Sequence, residues 1–208
     1  MKTNVISVTE MQENSSIIFN EDTKEAFVID PGDMDGEVLN YVKSNDLNVI
    51  AILLTHGHFD HILGVPALKE LTNAPIYANI NEKEILENAE MNFSKKYTSS
   101  IAPKADVYFQ NDETLSINGY SIKTQFIGEH TPGSVSYYFE ADKSLFSGDT
   151  LFNRSIGRTD FHNGNSQVFI KNIKEKQLTL PDDTIIHPGH GASTTVGKEK
   201  RVNPYFIH

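Results

Sequence analysis

An α/β fold in two similar halves is what this sequence predicts, on three observations. Short β-branched or apolar runs recur along its 208 residues, and several close in turns containing Gly, Pro or Asp. Stretches with helical spacing fall between them. No low-complexity segment or linker interrupts the chain, and its length suits one well-buried domain spanning residues 1–208.

In chain order, Val5–Val8, Ser16–Phe19 and Ala26–Ile29 read as strands leading to the turn Asp30-Pro31-Gly32. Gly36–Ser44 reads as a helix with Val38, Leu39 and Val42 on one face. The run Val49–Leu54 is short, apolar and β-branched, as a buried strand is. A helix is expected from Asp60 to about Leu71, with Pro66 tolerable only near its first turn. Pro75–Ala78 is a short strand and Glu82–Glu90 a polar helix. Met91–Lys104 is irregular, either a cover over a site or a plain connection. Strands recur from Val107 to Phe146, including Tyr120–Ile127, and again at Thr184–Ile186. Ser166–Lys176 is amphipathic, with Val168, Phe169 and Ile173 expected in the core.

Between two of these elements lies Thr55-His56-Gly57-His58-Phe59-Asp60-His61, with four potential metal ligands within six residues. His56 and His58 are two apart and point to the same side of an extended chain. Asp60 and His61 follow where the chain bends. One ion cannot comfortably use all four, so the spacing suggests two ions. A lone histidine is more often structural than ligating, but further candidates follow short strands downstream. They are His130 in Gly128-Glu129-His130-Thr131-Pro132-Gly133, Asp149 in Ser147-Gly148-Asp149-Thr150, and His190 in His187-Pro188-Gly189-His190-Gly191. Each lies in a glycine-containing turn, where sites on a sheet scaffold are placed. Asp30 either orients a ligand or simply makes its turn, and Thr55 and Thr131 are open in the same way. His162, His187 and His208 read as structural or unassigned.

Composition narrows the chemistry. The net charge is -10, which disfavours nucleic acid as a partner, because phosphate binding relies on Lys and Arg. No stretch is long and apolar enough to span a membrane, and the first ten residues carry no apolar core of a secretion signal, so a cytoplasmic protein is expected. There is no cysteine, which removes disulfides and thiolate ligands. Histidine and carboxylate ligands suit zinc and also accept iron or manganese.

The ligand residues, in this order and spacing, resemble the metallo-β-lactamase superfamily from Asp30-Pro31-Gly32 through His190. The resemblance implies a four-layer αβ/βα sandwich with one metal on His56, His58 and His130 and a second on Asp60, His61 and His190. Asp149 would bridge them, with a water or hydroxide between the ions on which Asp60 and Asp149 act as the catalytic carboxylates. Glu129 departs from the usual Pro-Gly before this histidine. Within the superfamily, Gly148–Phe152, Ser155–Phe161 and Pro188–Gly191 resemble the glyoxalase II group, in a short form without the C-terminal helical region. This implies a hydrolase of small thioesters, S-lactoylglutathione or another acyl-thiol, with Arg158 holding the substrate's anionic end or else pairing with Asp160. Gly157–Phe161 is also similar to mononuclear iron persulfide dioxygenases, which would use His56, His130 and Asp149. A lactonase or other ester hydrolase of the same fold is a further alternative.

Overall fold

The computed structural model describes residues 1–33 and 36–207; His208 lies outside them. The chain forms two compact units, Met1–Phe109 and Gln110–His208. In the first, β1 (Lys2–Val8), β2 (Glu13–Phe19), β3 (Glu25–Ile29), β4 (Asn48–Leu53), β5 (Ile76–Asn79) and β6 (Val107–Phe109) form one sheet in that order. Strands β1 to β3 pair antiparallel and β3 to β6 parallel. Helix α1 (Glu37–Ser44) crosses from β3 to β4, and α3 (Val65–Thr72) from β4 to β5. The crossovers bury Val38, Val42, Val65 and Leu68 against Ile17, Val28, Ile52 and Ile76. Continuous apolar strands belong in such a covered parallel arrangement.

The helix expected from Asp60 to Leu71 is two pieces, α2 (Phe59–Ile62) and α3. The break is at Gly64, whose N–H bonds to the Pro31 carbonyl at 2.7 Å instead of continuing a ladder. Pro66 sits in the first turn of α3, as expected. The polar helix expected over Glu82–Glu90 shrinks to a 3-10 turn, Ile80–Glu82, and α4 (Lys83–Leu86). The Asn88 side chain ends it by accepting from the N–H groups of Glu90 and Met91 at 3.0 and 3.3 Å. Met91–Lys104 contains one short helix, α5 (Ser94–Tyr97).

In the second unit, β7 (Thr114–Ile117), β8 (Tyr120–Phe126), β9 (Val135–Phe139), β10 (Ser144–Gly148), β13 (Ile185–Pro188) and β14 (Thr194–Thr195) form a sheet ordered β14-β13-β10-β9-β8-β7. Only β10 and β13 pair in parallel. A small ribbon of β11 (Leu151–Phe152) and β12 (Ser155–Ile156) follows β10. Helix α6 (Ser166–Asn172) runs into a π-helical turn, Ile173–Gln177, and α7 (Val196–Val202) closes the chain. Phe169 and Ile173 are buried with Ile127, Tyr138 and Leu145. Val168, expected beside them, is instead 39% exposed, because one residue back along a helix is about 100° around its axis. Among the described residues no helix is long and apolar enough to cross a membrane.

Candidate metal centre

Every candidate ligand follows the carboxyl end of a strand, where ligands bind in open sheets with parallel pairs. In the first unit, Asp30 follows β3, and Thr55 to His61 follow β4. His56, His58, Asp60 and His61 are all buried. His56 Nε2 and His58 Nδ1 face one another at 3.1 Å, with their rings edge to face. His61 packs on the other side of His56, ring centroids 4.1 Å apart.

The loop is held at several points. Asp30 accepts from the Thr55 N–H at 2.7 Å and the Thr55 hydroxyl at 2.5 Å, and its Oδ2 lies 3.0 Å from His61 Nδ1. Thr55 Oγ1 also lies 3.1 Å from His56 Nδ1. Asp30 and Thr55 therefore orient ligand candidates as well as shaping the turn. Asp30 adopts a φ of 48°, tolerable for Asp. Gly32 is required by space: a Cβ there would lie 1.8 Å from the Asp60 carbonyl oxygen. Buried Glu82 accepts the Gly57 N–H at 2.8 Å, and the Asn92 carbonyl accepts the Phe59 N–H at 2.9 Å. Phe93 lies against His58 at 5.4 Å between centroids, and Tyr97 stacks on Phe59 at 5.1 Å. The segment Met91–Lys104 thus braces the histidine loop from the side.

In the second unit, His130 follows β8, Asp149 follows β10 and His190 follows β13. The Gly189 N–H bonds to the Gly148 carbonyl at 2.8 Å, tying the last two turns together. Asp149 Oδ2 lies 3.6 Å from both His130 Nε2 and His190 Nε2, so one carboxylate oxygen stands between two imidazoles. His130 Nδ1 faces the Arg158 carbonyl at 2.8 Å. Gly157 allows this approach, since a Cβ there would meet the Asp149 carbonyl oxygen at 1.9 Å. The unusual Glu129 has a φ of 67°, and its carboxylate accepts the Asn165 N–H at 2.5 Å. Thr131 bonds with Ser134 across its own turn.

The Arg158 side chain bonds Asp160 in a two-pronged pair, both distances 2.6 Å, and lies over the Phe161 ring at 3.9 Å. This partner pulls the Asp160 carboxyl down to about 2. His187 stacks on Phe146 at 4.9 Å, and burial pushes its pKa down to about 4. His162 is also lowered, by burial first and then by the His130 charge.

Sequence reasoning passed over three buried polar residues here. Glu13 on β2 is fully buried, with Oε1 3.7 Å from His61 Nδ1, and burial raises its pKa well above the usual carboxylate range. Glu82 reads in sequence as part of a polar helix and is instead buried, holding the Gly57 N–H. Gln177 donates to Ser136 Oγ at 2.6 Å and to Thr150 Oγ1 at 2.7 Å, next to Asp149. Glu13 and Gln177 both lie in polar stretches of sequence, which carried no signal of their burial.

The donor set fits divalent metal. In three of the imidazoles, His56, His61 and His130, Nδ1 faces a protein oxygen, which leaves Nε2 to bind.

A sequence profile of the metallo-β-lactamase superfamily matches residues 8–190. The chain is 37% identical over 208 residues to the probable metallo-hydrolase YqgX of Bacillus subtilis, covering 99% of this chain and 98% of that one. It is also 37% identical over 212 residues to hydroxyacylglutathione hydrolase GloC of Haemophilus influenzae, covering 99% and 98%. Among solved structures, BLEG-1 B3 metallo-β-lactamase matches with a TM-score of 0.94 at 37% identity over 100% of both chains. TTHA1623 in a di-iron-bound form matches at 0.83 and 30% identity over 97% and 99%, and ETHE1 from Myxococcus xanthus at 0.80 and 29% over 100% and 89%. With its strand-end histidines, its α/β architecture and full-length relatives, the chain belongs to the metallo-β-lactamase superfamily.

Proposed function

We propose that this metallo-hydrolase of the superfamily cleaves small thioesters with two divalent ions. In this reading both units form one domain, and His56, His58 and His130 hold one ion. Asp60, His61 and His190 would hold the other, with Asp149 contributing to both. The observation that carries it is the repeated orientation of Nδ1 toward a protein oxygen at His56, His61 and His130. Such fixing selects the tautomer that presents Nε2, and it raises ligand basicity. The ions would supply Lewis acidity, acidifying water toward neutral pH and polarising a carbonyl. Imidazole and carboxylate donors favour zinc, with iron or manganese acceptable; a di-iron form is named for the similar TTHA1623.

The protein's own contribution is positioning. Asp30, Thr55 and the Arg158 carbonyl fix ring orientations, and Asp149 stands between His130 and His190. A thioester suits such a site, because a thiol of pKa near 8.5 leaves as thiolate without a dedicated general acid. The relative GloC is named a hydroxyacylglutathione hydrolase, which supports the same substrate class. The net charge of -10 favours a small substrate over a polyanion. The likeness to BLEG-1, named a B3 metallo-β-lactamase, favours β-lactams as the second reading.

A panel of S-lactoylglutathione, a second acyl-thiol, a β-lactam, a lactone and a phosphodiester decides between them. Thioesters should turn over fastest, on protein that carries about two metals per chain by elemental analysis. A faster β-lactam would overturn the substrate assignment. One iron per chain, with thiol-dependent oxygen uptake on glutathione persulfide and no thioesterase activity, would overturn the hydrolytic reading.

A further inference from the structure

Strand β2 opens with Glu13-Asn14-Ser15-Ser16, a polar start to an apolar run. Side chains alternate along a strand, so Glu13 and Ser15 share a face. Both are fully buried. Ser15 Oγ lies 2.9 Å from Glu13 Oε2 and 2.8 Å from the Asp30 carbonyl oxygen, and it accepts the Gly32 N–H at 3.0 Å. Ser15 thus fastens Glu13 to the same turn that carries Asp30. The other Glu13 oxygen, Oε1, is buried without a hydrogen bond and lies 3.7 Å from His61 Nδ1. Asp30 Oδ2 lies 3.0 Å from the same nitrogen, and that oxygen already accepts the Thr55 hydroxyl. Two carboxyl groups, one on β2 and one just past β3, therefore flank His61 Nδ1.

A buried polar oxygen without a partner is unfavourable, since it gives up its hydrogen bonds to water and gains none. A leucine at position 13 would avoid that cost. The arrangement makes sense if the oxygen has work at His61. We propose that Glu13 is a positioning residue for His61: its Oε1, 3.7 Å from Nδ1, stands as a reserve acceptor beside Asp30 and so favours the ring form that leaves Nε2 available to a metal. The inference rests on the two-metal reading for its purpose, and on geometry alone for the orientation of the ring. The role asks for an acceptor oxygen, and a glutamine amide carbonyl can supply it. Its NH₂ would then donate to Ser15 Oγ while Ser15 donates to the Asp30 carbonyl, so every partner stays satisfied.

Glu13→Leu and Glu13→Gln separate acceptor from shape. In metal-free protein, long-range ¹H–¹⁵N spectra of the histidines report the His61 tautomer, assigned against His61→Asn. Zinc competition with a chromophoric chelator reports affinity. Glu13→Leu should shift His61 away from a pure Nδ1–H form and weaken one zinc site about 10- to 100-fold, while Glu13→Gln stays within about three-fold of the parent. Should the leucine variant not fold, Glu13→Met fills the same space with a flexible chain and takes its place. An unchanged tautomer and affinity in the apolar variant would overturn the proposal, as would a glutamine variant as weak as the leucine one. If the parent protein binds no zinc while the tautomer still shifts, the metal reading fails and the positioning of His61 stands.

Discussion

Arg158 divides its work between main chain and side chain. Its carbonyl faces His130 Nδ1, while its guanidinium pairs with Asp160 and lies on Phe161. A substitution touches only the second. If the guanidinium exchanges Asp160 for the anionic end of a thioester, Arg158→Ala should raise KM for charged thioesters and spare a neutral one. Metal content should not change, since the carbonyl remains. Steady-state kinetics on a charged and a neutral thioester check this, with elemental analysis alongside. Equal losses on both, or lost metal, would make the arginine structural. The exposed ion pair contributes little stability, so the melting temperature should move slightly. Residues of this kind were legible because Asp149 and Arg158 each directly follow a glycine and His130 lies two residues after one. Glu13 was not legible. It lies 17 positions before Asp30 in the chain, and only strand pairing brings them together.

At the level of elements, the π-helical turn Ile173–Gln177 has a definable purpose. It follows α6 and buries Gln177, whose amide reaches Ser136 on β9 and Thr150 beside Asp149. Thr150 in turn donates to the Ser147 carbonyl at 2.7 Å. Gln177→Leu keeps the size and removes the donor, leaving the two hydroxyl oxygens without it. We expect a loss of about 1–3 kcal/mol in unfolding free energy, measured by urea titration. A neutral effect would show that the network carries no stability. Periodicity found α6 and its buried Phe169 and Ile173, but it could not find the π turn, because no residue pattern marks a one-residue insertion in a helix. The same limit applies to the break at Gly64. The apolar spacing continues from α2 into α3, and the interruption comes from the Pro31 carbonyl, a partner about thirty residues away along the chain. Strand ends were easier to place, since Asp30-Pro31-Gly32 and Pro188-Gly189 are local turn signals.

Over the whole molecule, the acidic composition and the buried histidines set the response to pH. The His187 pKa falls from 6.5 to about 4 through burial against Phe146. The folded state holds the ring neutral while the unfolded chain protonates near 6.5. Stability from this group is therefore present in full above about pH 6.5 and is lost as pH falls through the interval down to 4, by about 3 kcal/mol in all. His187→Phe keeps the stacked ring and removes the titration. Its unfolding free energy should decline less steeply than the parent's between pH 6.5 and 4. Parallel curves for the two proteins would refute this. The segment that braces the histidine loop has a different consequence. Asn92 Nδ2 and Ser94 Oγ both bond the Ile101 carbonyl, at 2.9 Å each, so the stretch is knotted to itself before it meets its neighbours. A clasp that fastens its own ends can change the residues between them without unfastening. Substitutions between Lys95 and Ser100, other than at Tyr97, which stacks on Phe59, should thus leave the clasp fastened and the imidazoles where they are.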